Sequence, residues 1–469
     1  SFIFLQNSEN HILNSFPILI TFSLLCIILI NKYFKILPTL QKFFMALLLI
    51  NIIALLGANN FHGKDIIELF SKKVSSFLAL SDWGAKFLFG NLADNNHFGP
   101  WMDGFPYKNT WPGFGFQFAF KVLPTIIFFG GFMSVLYYLG IMQKIILSMS
   151  RFMRWTIGTS GAETLSCSAN VFVGQTEAPL LIKPFINEMT KSELLTIMIG
   201  GFATIAGGVL AGYIAIGVPA GHLIAASVMS APAALVIGKI IYPETENSKT
   251  LGNIKMPNIK TGSNVVEAAS NGITDGLKLA VNVGAMLIGF IALIAVLDVI
   301  LNWLDYLIEG QLLNGEYITY LASGMSPVNG EYQSPSAFWG YTNFGYFPGS
   351  LQSLFGALLS PLAFMMGVPW NDAAQVGNLL GIKLSLNEFV AYGTLGNYIN
   401  AEVLSERAMI ISTYALCGFA NFSSIGIQIG GISAIAPNRK TDLAKLGIKA
   451  MCGGAIASWL TATIAGIFI

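Results

Sequence analysis

Long apolar segments recur along the whole of this chain and limit what it can fold into. A helix that crosses a membrane needs about 20 mostly apolar residues. Only 10% of the residues are charged, compared with about 25% in a soluble globular protein, so most of the surface must face lipid. The sequence therefore predicts an all-α polytopic membrane protein that lies in the lipid bilayer and has eight transmembrane helices. The predicted spans cover 13–31, 43–58, 118–142, 194–217, 219–241, 277–304, 407–433 and 441–469.

Basic residues lie after every second predicted span, and they indicate the orientation of the chain. Short loops rich in Lys and Arg stay on the cytoplasmic side. Lys144, Arg151 and Arg154 follow the third span, whereas the loop 305–350 carries acidic residues and no Lys or Arg. This pattern predicts a multi-pass protein of the plasma membrane, or of the inner membrane in a Gram-negative bacterium, with both termini outside. No small-residue cleavage site follows the first span, so we interpret it as a retained helix.

Two further apolar stretches, 162–189 and 371–405, contain Glu, Gln and Asn side chains. If either stretch crossed the membrane, the charge asymmetry of the loops that follow it would invert. Irregular backbone at membrane depth is tolerated only where protein or a water-filled cavity surrounds it. Both stretches are therefore predicted to be re-entrant hairpins, which enter and leave by the same side. Residues 351–367 are predicted to form an interfacial or re-entrant helix on the outer side.

A short sequence repeat indicates that the chain consists of two related parts. Gly201-Phe-Ala-Thr204 recurs as Gly418-Phe-Ala-Asn421, each time early in a membrane segment and shortly after a predicted hairpin. The order of hairpin, broken helix and full helix thus occurs twice, and the predicted topology gives the two sets opposite orientations. An inverted repeat is typical of secondary transporters, whose site lies at the repeat interface. The two repeats are expected over 143–242 and 370–469, and residues 1–142 and 243–369 form the rest of the chain.

Each predicted hairpin contains one acidic residue, Glu177 or Glu388. A charge at the centre of a bilayer costs roughly 2.5–3.5 kcal/mol on insertion scales, so each carboxylate needs a cavity or a partner. Either Glu is neutralised by protonation or tied to a backbone amide, or it faces water and a substrate. We favour the second reading because both hairpins hold such a residue.

The glycine pairs 200–201 and 207–208 are predicted to let the first broken helix unwind, which would expose backbone carbonyls beside the Thr204 hydroxyl. Asn421, Ser423 and Ser424 supply polar groups in the second repeat. Close helix packing through small residues is the alternative explanation for the glycines.

The polar positions indicate what the predicted site could hold. Sodium prefers oxygen ligands, which Asn170, Thr204 and the carbonyl groups near Val173 and Ile205 could provide. Lys183 is the only basic residue expected near this polar set, so a neutral polar substrate is favoured over an organic phosphate. A carboxylate such as that of Glu388 suits the vicinal diol of a sugar, and the amide of Gln175 suits the edge of a heterocyclic base.

Other classes of protein find little support in the sequence. The four cysteines and four histidines are scattered without metal-site spacing, and a formal net charge of +1 gives no argument for a nucleic-acid partner. No motif of a metalloprotease, a P-loop protein or a serine hydrolase is present. We therefore predict a protein that is not an enzyme and needs no organic cofactor. An ion channel and a membrane-embedded enzyme are weaker alternatives.

Several long motifs resemble those of the concentrative nucleoside transporters. They are GQTEAPLL at 174–181, LNEFVAY at 386–392, GFANFSSIGIQIGG at 418–431, FKVLPTIIFFGGFMSVLYYLG at 120–140 and GFATIAGGVLAGY at 201–213. The resemblance extends over most of the chain from about residue 75 onward. It implies a homotrimer with eight membrane helices and two oppositely oriented hairpins, in which a transport domain carries a nucleoside across a static scaffold in the manner of an elevator.

The resemblance also implies roles for individual residues in a symporter that imports nucleosides such as uridine with sodium, or with protons as in some bacterial relatives. The expected nucleobase contacts are Gln175, Thr176, Glu177 and Val209, with Leu287 of the sixth span over the base. The expected ribose contacts are Glu388, Asn421 and Ser424, and Phe419 would line the same pocket. The expected sodium ligands are Asn170, Val173, Thr204 and Ile205.

Overall fold

The computed structural model describes residues 63–93, 117–250, 261–313, 327–328, 331–332 and 349–469. The predicted spans 13–31 and 43–58 lie outside the described residues, as does most of the acidic loop 305–350. The described part is helical apart from two short strands, Pro327–Val328 (β1) and Glu331–Tyr332 (β2), which pair antiparallel.

The α-helices follow one another with short connections. They are α1 Gly63–Leu78, α2 Ser81–Phe89, α3 Phe118–Tyr138, α4 Ile141–Ile157, α5 Gly161–Asn170, α6 Lys191–Ala203, α7 Gly207–Ala215, α8 Ala220–Ile241, α9 Val265–Asp305, α10 Leu351–Met365, α11 Trp370–Ser385, α12 Glu388–Asn400, α13 Glu406–Ala415, α14 Phe422–Ile435 and α15 Lys440–Phe468. Short 3₁₀ segments cover Gly90–Ala93, Ala178–Ile182, Ile186–Glu188 and Pro437–Arg439, and a π-helical turn, Tyr306–Leu312, continues α9.

Most of the predicted spans that fall on described residues correspond to these helices. By length and composition, four segments of the described part are long and apolar enough to cross a membrane, or five if one bent pair of helices counts as a span. The four are 118–138, 191–215, 220–241 and 437–468. Helix α9 contains the predicted span 277–304, and with 41 residues it is about 60 Å long, twice the thickness of a hydrocarbon core.

The two spans predicted to be broken are interrupted in the structure. Helix α6 ends at Ala203 and α7 begins at Gly207, whereas α13 ends at Ala415 and α14 begins at Phe422. The first interruption lies between the two glycine pairs, and the second ends where Asn421 caps α14. Local sequence therefore decides where each helix stops.

The stretches predicted as hairpins are compact and largely buried. In the first, α5 leads through a turn to the 3₁₀ segment Ala178–Ile182, and in the second, α11 and α12 meet at Leu386 and Asn387. The stretch 351–367 forms α10, which packs along α11 and is bent by 117° against it. Helix α10 therefore contacts the first helix of the second hairpin.

Helices α3 and α9 pack against each other at very short distance. Gly130 and Gly131 of α3 lie against Gly272 and Gly276 of α9, and a Cβ atom on Gly276 would come within 2.9 Å of the Cα atom of Ile127. Small residues allow such close approach of helices in membranes. This pair, the α3–α9 unit, contributes Val122, Ile126 and Ala280 to the main hydrophobic core.

The main hydrophobic core lies among α6, α8, α13 and α15. Gly453 and Gly454 of α15 receive the side chains of Ile199 and Phe202 from α6. Helix α7 connects this core to α3, since a Cβ atom on Gly212 would lie 3.0 Å from Cγ1 of Val122.

The two helix interruptions meet inside this core at Gly418. Gly418 has a φ of +106°, and a Cβ atom there would lie 2.4 Å from the carbonyl oxygen of Phe202 and 2.6 Å from the carbonyl carbon of Ala203. The backbone that follows α13 therefore lies directly on the last residues of α6. Only glycine permits this contact, because it has no Cβ atom and adopts a positive φ without strain.

Replacement of Gly418 by Ala is expected to destabilise the protein more than the same change at Gly217. Both glycines have a positive φ, 106° and 104°, so alanine carries backbone strain on the order of 1–3 kcal/mol at either position. At Gly418 the new methyl group also collides with backbone atoms, and overpacking adds about 1–3 kcal/mol. Thermal unfolding of the purified variants in detergent measures the difference.

Gly217 is the matched control because a Cβ atom there meets nothing within 4 Å in the described part of the chain. Equal losses of stability in the two variants would contradict a tight backbone contact between the interruptions.

Candidate functional site

Glu388 accepts side-chain hydrogen bonds from two residues on other elements, Tyr213 of α7 and Asn421 at the start of α14. It is the first residue of α12, which Asn387 caps by accepting the Val390 N–H at 2.9 Å. One carboxylate oxygen accepts the hydroxyl of Tyr213 at 2.9 Å, and the other accepts the side-chain amide of Asn421 at 3.2 Å. The side chain is 4% exposed. Since both oxygens accept hydrogen bonds from neutral donors, the arrangement suits a carboxylate that keeps lone pairs for a further donor.

Asn421 joins Glu388 to the start of α14. Its side-chain oxygen accepts the Ser424 N–H at 2.9 Å and the Ser423 hydroxyl at 2.8 Å, while its amide nitrogen donates to Glu388. The N-termini of α12 and α14 therefore converge on one carboxylate. Helix N-termini carry partial positive charge and stabilise an anion, so both helices contribute to holding Glu388 in the core.

Gln175 connects the first hairpin to the same helix, α14. Its amide nitrogen donates to the hydroxyl of Ser424 at 3.3 Å, and its oxygen accepts the amide of Gln428 at 3.0 Å. Gln428 also donates to the carbonyl of Met198 in α6 at 3.1 Å, and this second contact fixes the orientation of its amide. The expected base-side residue Gln175 and the expected ribose-side residue Ser424 thus touch each other. We call this set of contacts the Gln175–Gln428 bridge.

Thr176 and Glu177 take different positions from Gln175. The methyl group of Thr176 lies against Gly431 of α14, where a Cβ atom would be 2.5 Å away. Glu177 is exposed, and its carboxylate accepts the backbone N–H of Gly174. The sequence analysis favoured a residue that faces water and a substrate over one tied to a backbone amide, and the structure shows this bond to the backbone.

The apolar residues expected around a base or sugar lie on three elements. Val209 is buried in α7, and Phe419 is half-buried in the interruption between α13 and α14. Leu287 lies on α9, and its side chain is outside the described part of the structure.

Asn170 carries a buried amide that lacks a hydrogen-bond partner in the described residues, at both its oxygen and its nitrogen. It ends α5 and lies close to Gly200 of α6, where a Cβ atom would be 3.3 Å from the amide nitrogen. A buried polar group without a partner is costly, and an unpartnered amide oxygen is a ligand suited to a hard cation.

The other expected sodium ligands surround the end of α6. Thr204 follows the last residue of α6 and donates its hydroxyl to the carbonyl of Gly200 at 2.8 Å, which leaves its oxygen lone pairs free to accept. Ile205 is buried and Val173 is half-buried. The carbonyl of Phe172 accepts the Gly207 N–H at 3.1 Å, so the turn after α5 lies beside the interruption. A helix C-terminus carries partial negative charge, and the donor set therefore fits sodium.

The prediction that Lys183 is the only basic residue near the polar set is wrong. Lys183 is exposed, whereas Lys383 of α11 has no exposed surface. Its ammonium group donates to the carbonyls of Ala415 at 2.9 Å and Cys417 at 3.1 Å. The sequence alone could not show that these carbonyls, more than 30 residues away, would receive it.

Tyr213 and Gln428 were also missed as candidate site residues, although both lie in the motifs that carry the resemblance. Tyr213 ends the run 201–213, and Gln428 is a polar residue in the otherwise apolar end of the motif 418–431. A polar side chain within an apolar helix was the available signal.

Comparison with known proteins matches two parts of the chain to described families. Residues 222–466 match the family described as Na+ dependent nucleoside transporter C-terminus, and residues 119–220 match the domain described as nucleoside recognition. A Haemophilus influenzae protein named only as an uncharacterized transporter is 44% identical over 87% of this chain and 86% of its own length.

A mouse protein and a solved structure are also similar to this chain over most of its length. The mouse sodium/nucleoside cotransporter 2 is 39% identical over 86% of this chain, which spans 55% of that protein's length. The structure described as CNTnw in an inward-facing substrate-bound state is 38% identical, covers 90% of this chain and 91% of its own, and superimposes with a TM-score of 0.74.

The matched segments, the extent of the identity and the shared helical fold lead to one conclusion. The chain is a membrane-embedded member of the concentrative nucleoside transporter family.

Proposed function

We propose that this protein is a secondary active symporter that imports nucleosides such as uridine and is driven by a sodium gradient. The observation that carries the proposal is the meeting of the two hairpins at the start of α14. There Gln175 of the first hairpin contacts Ser424, and Glu388 of the second contacts Asn421. A single small molecule at this place could touch both hairpins. The protein acts as a transporter and not as an enzyme.

The proposed substrate is held by complementary polar groups at its two ends. The Glu388 carboxylate accepts the two hydroxyls of a ribose, with Asn421 and Ser424 beside it. Gln175, oriented by the Gln175–Gln428 bridge, pairs with the edge of the base, and Thr176 and Glu177 complete that side. Val209, Phe419 and Leu287 enclose the apolar faces of the nucleoside. Apolar walls with a few placed polar groups are typical of small-molecule sites.

The proposed sodium ion binds between the first hairpin and the interruption after α6. The Asn170 side-chain oxygen, the Thr204 hydroxyl and the carbonyls of Val173 and Ile205 act as its ligands. This site belongs to the same hairpin as Gln175, so ion binding orders the segment that contacts the substrate. Reciprocal coupling of affinities follows from such a link. Sodium is favoured over protons because several relatives are named sodium/nucleoside cotransporters.

The proposed movement is that of an elevator within a homotrimer. A transport domain over 143–242 and 370–469 moves against a scaffold over 1–142 and 243–369, within the plasma membrane and with both termini outside. The close packing of α3 against α9 supports assigning both helices to the scaffold. Helix α9 also exposes apolar side chains that lipid or neighbouring subunits would cover: Val281, Ile288, Leu293, Val296, Val299 and Trp303.

Uptake of radiolabelled uridine into proteoliposomes tests the coupling ion. An inward sodium gradient is expected to drive accumulation above equilibrium, and a proton gradient without sodium is not. Accumulation driven by protons alone would agree with the proposed substrate but would refute the proposed sodium site. Absence of uptake under any gradient, from folded protein, would overturn the proposed substrate.

Replacement of Glu388 by Ala is expected to weaken uridine binding by at least about 100-fold. Hydrogen bonds to a charged group contribute about 1.5–3 kcal/mol each, and two hydroxyls would lose their acceptor. Binding of labelled uridine to purified protein measures the loss, and size-exclusion chromatography checks that the variant still assembles.

The matched control for that variant is Glu406→Ala, because Glu406 is an exposed acid in the first turn of α13. It is expected to bind uridine like the wild-type protein. Unchanged affinity in Glu388→Ala would refute the ribose assignment.

Replacement of Asn170 by Ala is expected to raise the sodium concentration for half-maximal uptake about 10- to 100-fold. The variant loses a side-chain oxygen that would coordinate the ion, and a contact to a charged group contributes about 1.5–3 kcal/mol. The sodium dependence of uridine uptake in proteoliposomes gives this value. Asn187→Ala, at an exposed position of the same hairpin region, serves as control. A sodium dependence that is the same in both variants would remove Asn170 from the ion site.

A further inference from the structure

Lys383 is a fully buried lysine that no part of the proposed transport cycle yet uses. It lies in the last turn of α11 and donates to the carbonyls of Ala415 and Cys417, at and just beyond the C-terminus of α13. Lysine is almost never fully buried unless it is paired. The negative end of α13 and the nearby carboxylate of Glu388, with which Lys383 interacts electrostatically, compensate its charge here.

The first repeat has a corresponding place, and there it holds the proposed sodium site. The matching tetrapeptides that begin at Gly201 and Gly418 make Gly200 the counterpart of Cys417. The amide of Asn170 lies against Gly200, and the ammonium of Lys383 lies against Cys417. Both side chains come from the last turn of the first helix of a hairpin, α5 or α11. Both face the negative end of the first half of an interrupted helix.

We infer that Lys383 is a built-in cation, which takes in the second repeat the place that sodium takes in the first. The inference rests on the proposed sodium site at Asn170. Each repeat then combines one hairpin carboxylate, Glu177 or Glu388, with one cation at a helix interruption. The sodium ion of the first repeat exchanges with solvent, whereas the ammonium group of the second repeat is part of the Lys383 side chain. The consequence is a ratio of one sodium ion per nucleoside.

Lys383 acts as a positioning residue for the substrate site. Its two hydrogen bonds hold the backbone at 415–417, four residues before Asn421 contacts Glu388. The hydroxyl of Ser458 in α15 also donates to the carbonyl of Cys417. Loss of Ser458 removes a hydrogen bond from this backbone and leaves the positive charge in place, whereas loss of Lys383 removes both.

Cation-dependent thermal unfolding of purified protein distinguishes a fixed cation from a merely structural lysine. Lys383→Met and Ser458→Ala are compared with the wild-type protein in sodium, methylammonium or choline chloride at constant ionic strength, without substrate. Lys383→Met is expected to unfold at lower temperature in choline and to regain stability selectively in sodium or methylammonium. The slope of its unfolding temperature against the logarithm of sodium concentration should be about twice that of the wild-type protein, because two cations now bind.

Ser458→Ala is expected to lose some stability and to keep the cation dependence of the wild-type protein. If Lys383→Met behaves in the same way as Ser458→Ala, the inference is overturned. An Asn170→Ala protein that keeps its sodium dependence would instead refute the proposed sodium site. The two failures are therefore distinguishable.

The wild-type protein provides a second test that does not depend on the folding of a variant. Radioactive sodium and labelled uridine bound at saturation give the ratio of the two ligands. One sodium ion per uridine supports a fixed second cation. Two sodium ions per uridine would overturn the role of Lys383, because the second position would then bind an exchangeable ion.

Discussion

The contact between the two interrupted helices determines where every polar group of the site lies. Gly418 rests directly on the carbonyl groups of Phe202 and Ala203, and a side chain at this position would separate the two backbones. Helices that stop inside an apolar core leave unpaired donors and acceptors, which would be costly if they were scattered. Because the interruptions meet, those groups are gathered in one place and can satisfy one another or a ligand.

The charges of the site follow from the direction of the half-helices. N-termini of α12 and α14 meet at Glu388, where a carboxylate is stabilised, whereas C-termini of α6 and α13 face Asn170 and Lys383. The carboxylate of Glu388 thus lies at positive helix ends, and the ammonium group of Lys383 lies at a negative one. Placed in the reverse order, the same residues would carry a desolvation cost that nothing nearby offsets.

Local rules were sufficient to predict where helices stop but not which side chains meet. The glycine pairs and the polar residues Asn421, Ser423 and Ser424 indicated the two interruptions, since small and polar side chains act on the backbone within a few positions of the chain. The hydrogen-bond partners of Glu388 and Gln175 could not be predicted from the sequence. Tyr213 and Glu388 are 175 residues apart, and Gln428 and Gln175 are 253 apart, so only the packed fold brings them together. For the same reason, Lys383 gave no sign that it would be buried.

The Gln175–Gln428 bridge joins the first hairpin, α6 and α14 through side-chain hydrogen bonds. In the proposed elevator, the polar groups on these elements would keep their mutual distances while the transport domain moves, whereas Leu287 on α9 of the scaffold would not move with them. On the proposed elevator mechanism, the polar contacts that select the substrate and the surfaces that set the transport rate are formed by different residues. A change that reshapes these polar contacts would then alter which nucleoside is accepted and leave the barrier to movement unchanged, so that relatives would diverge in specificity while they keep one mechanism.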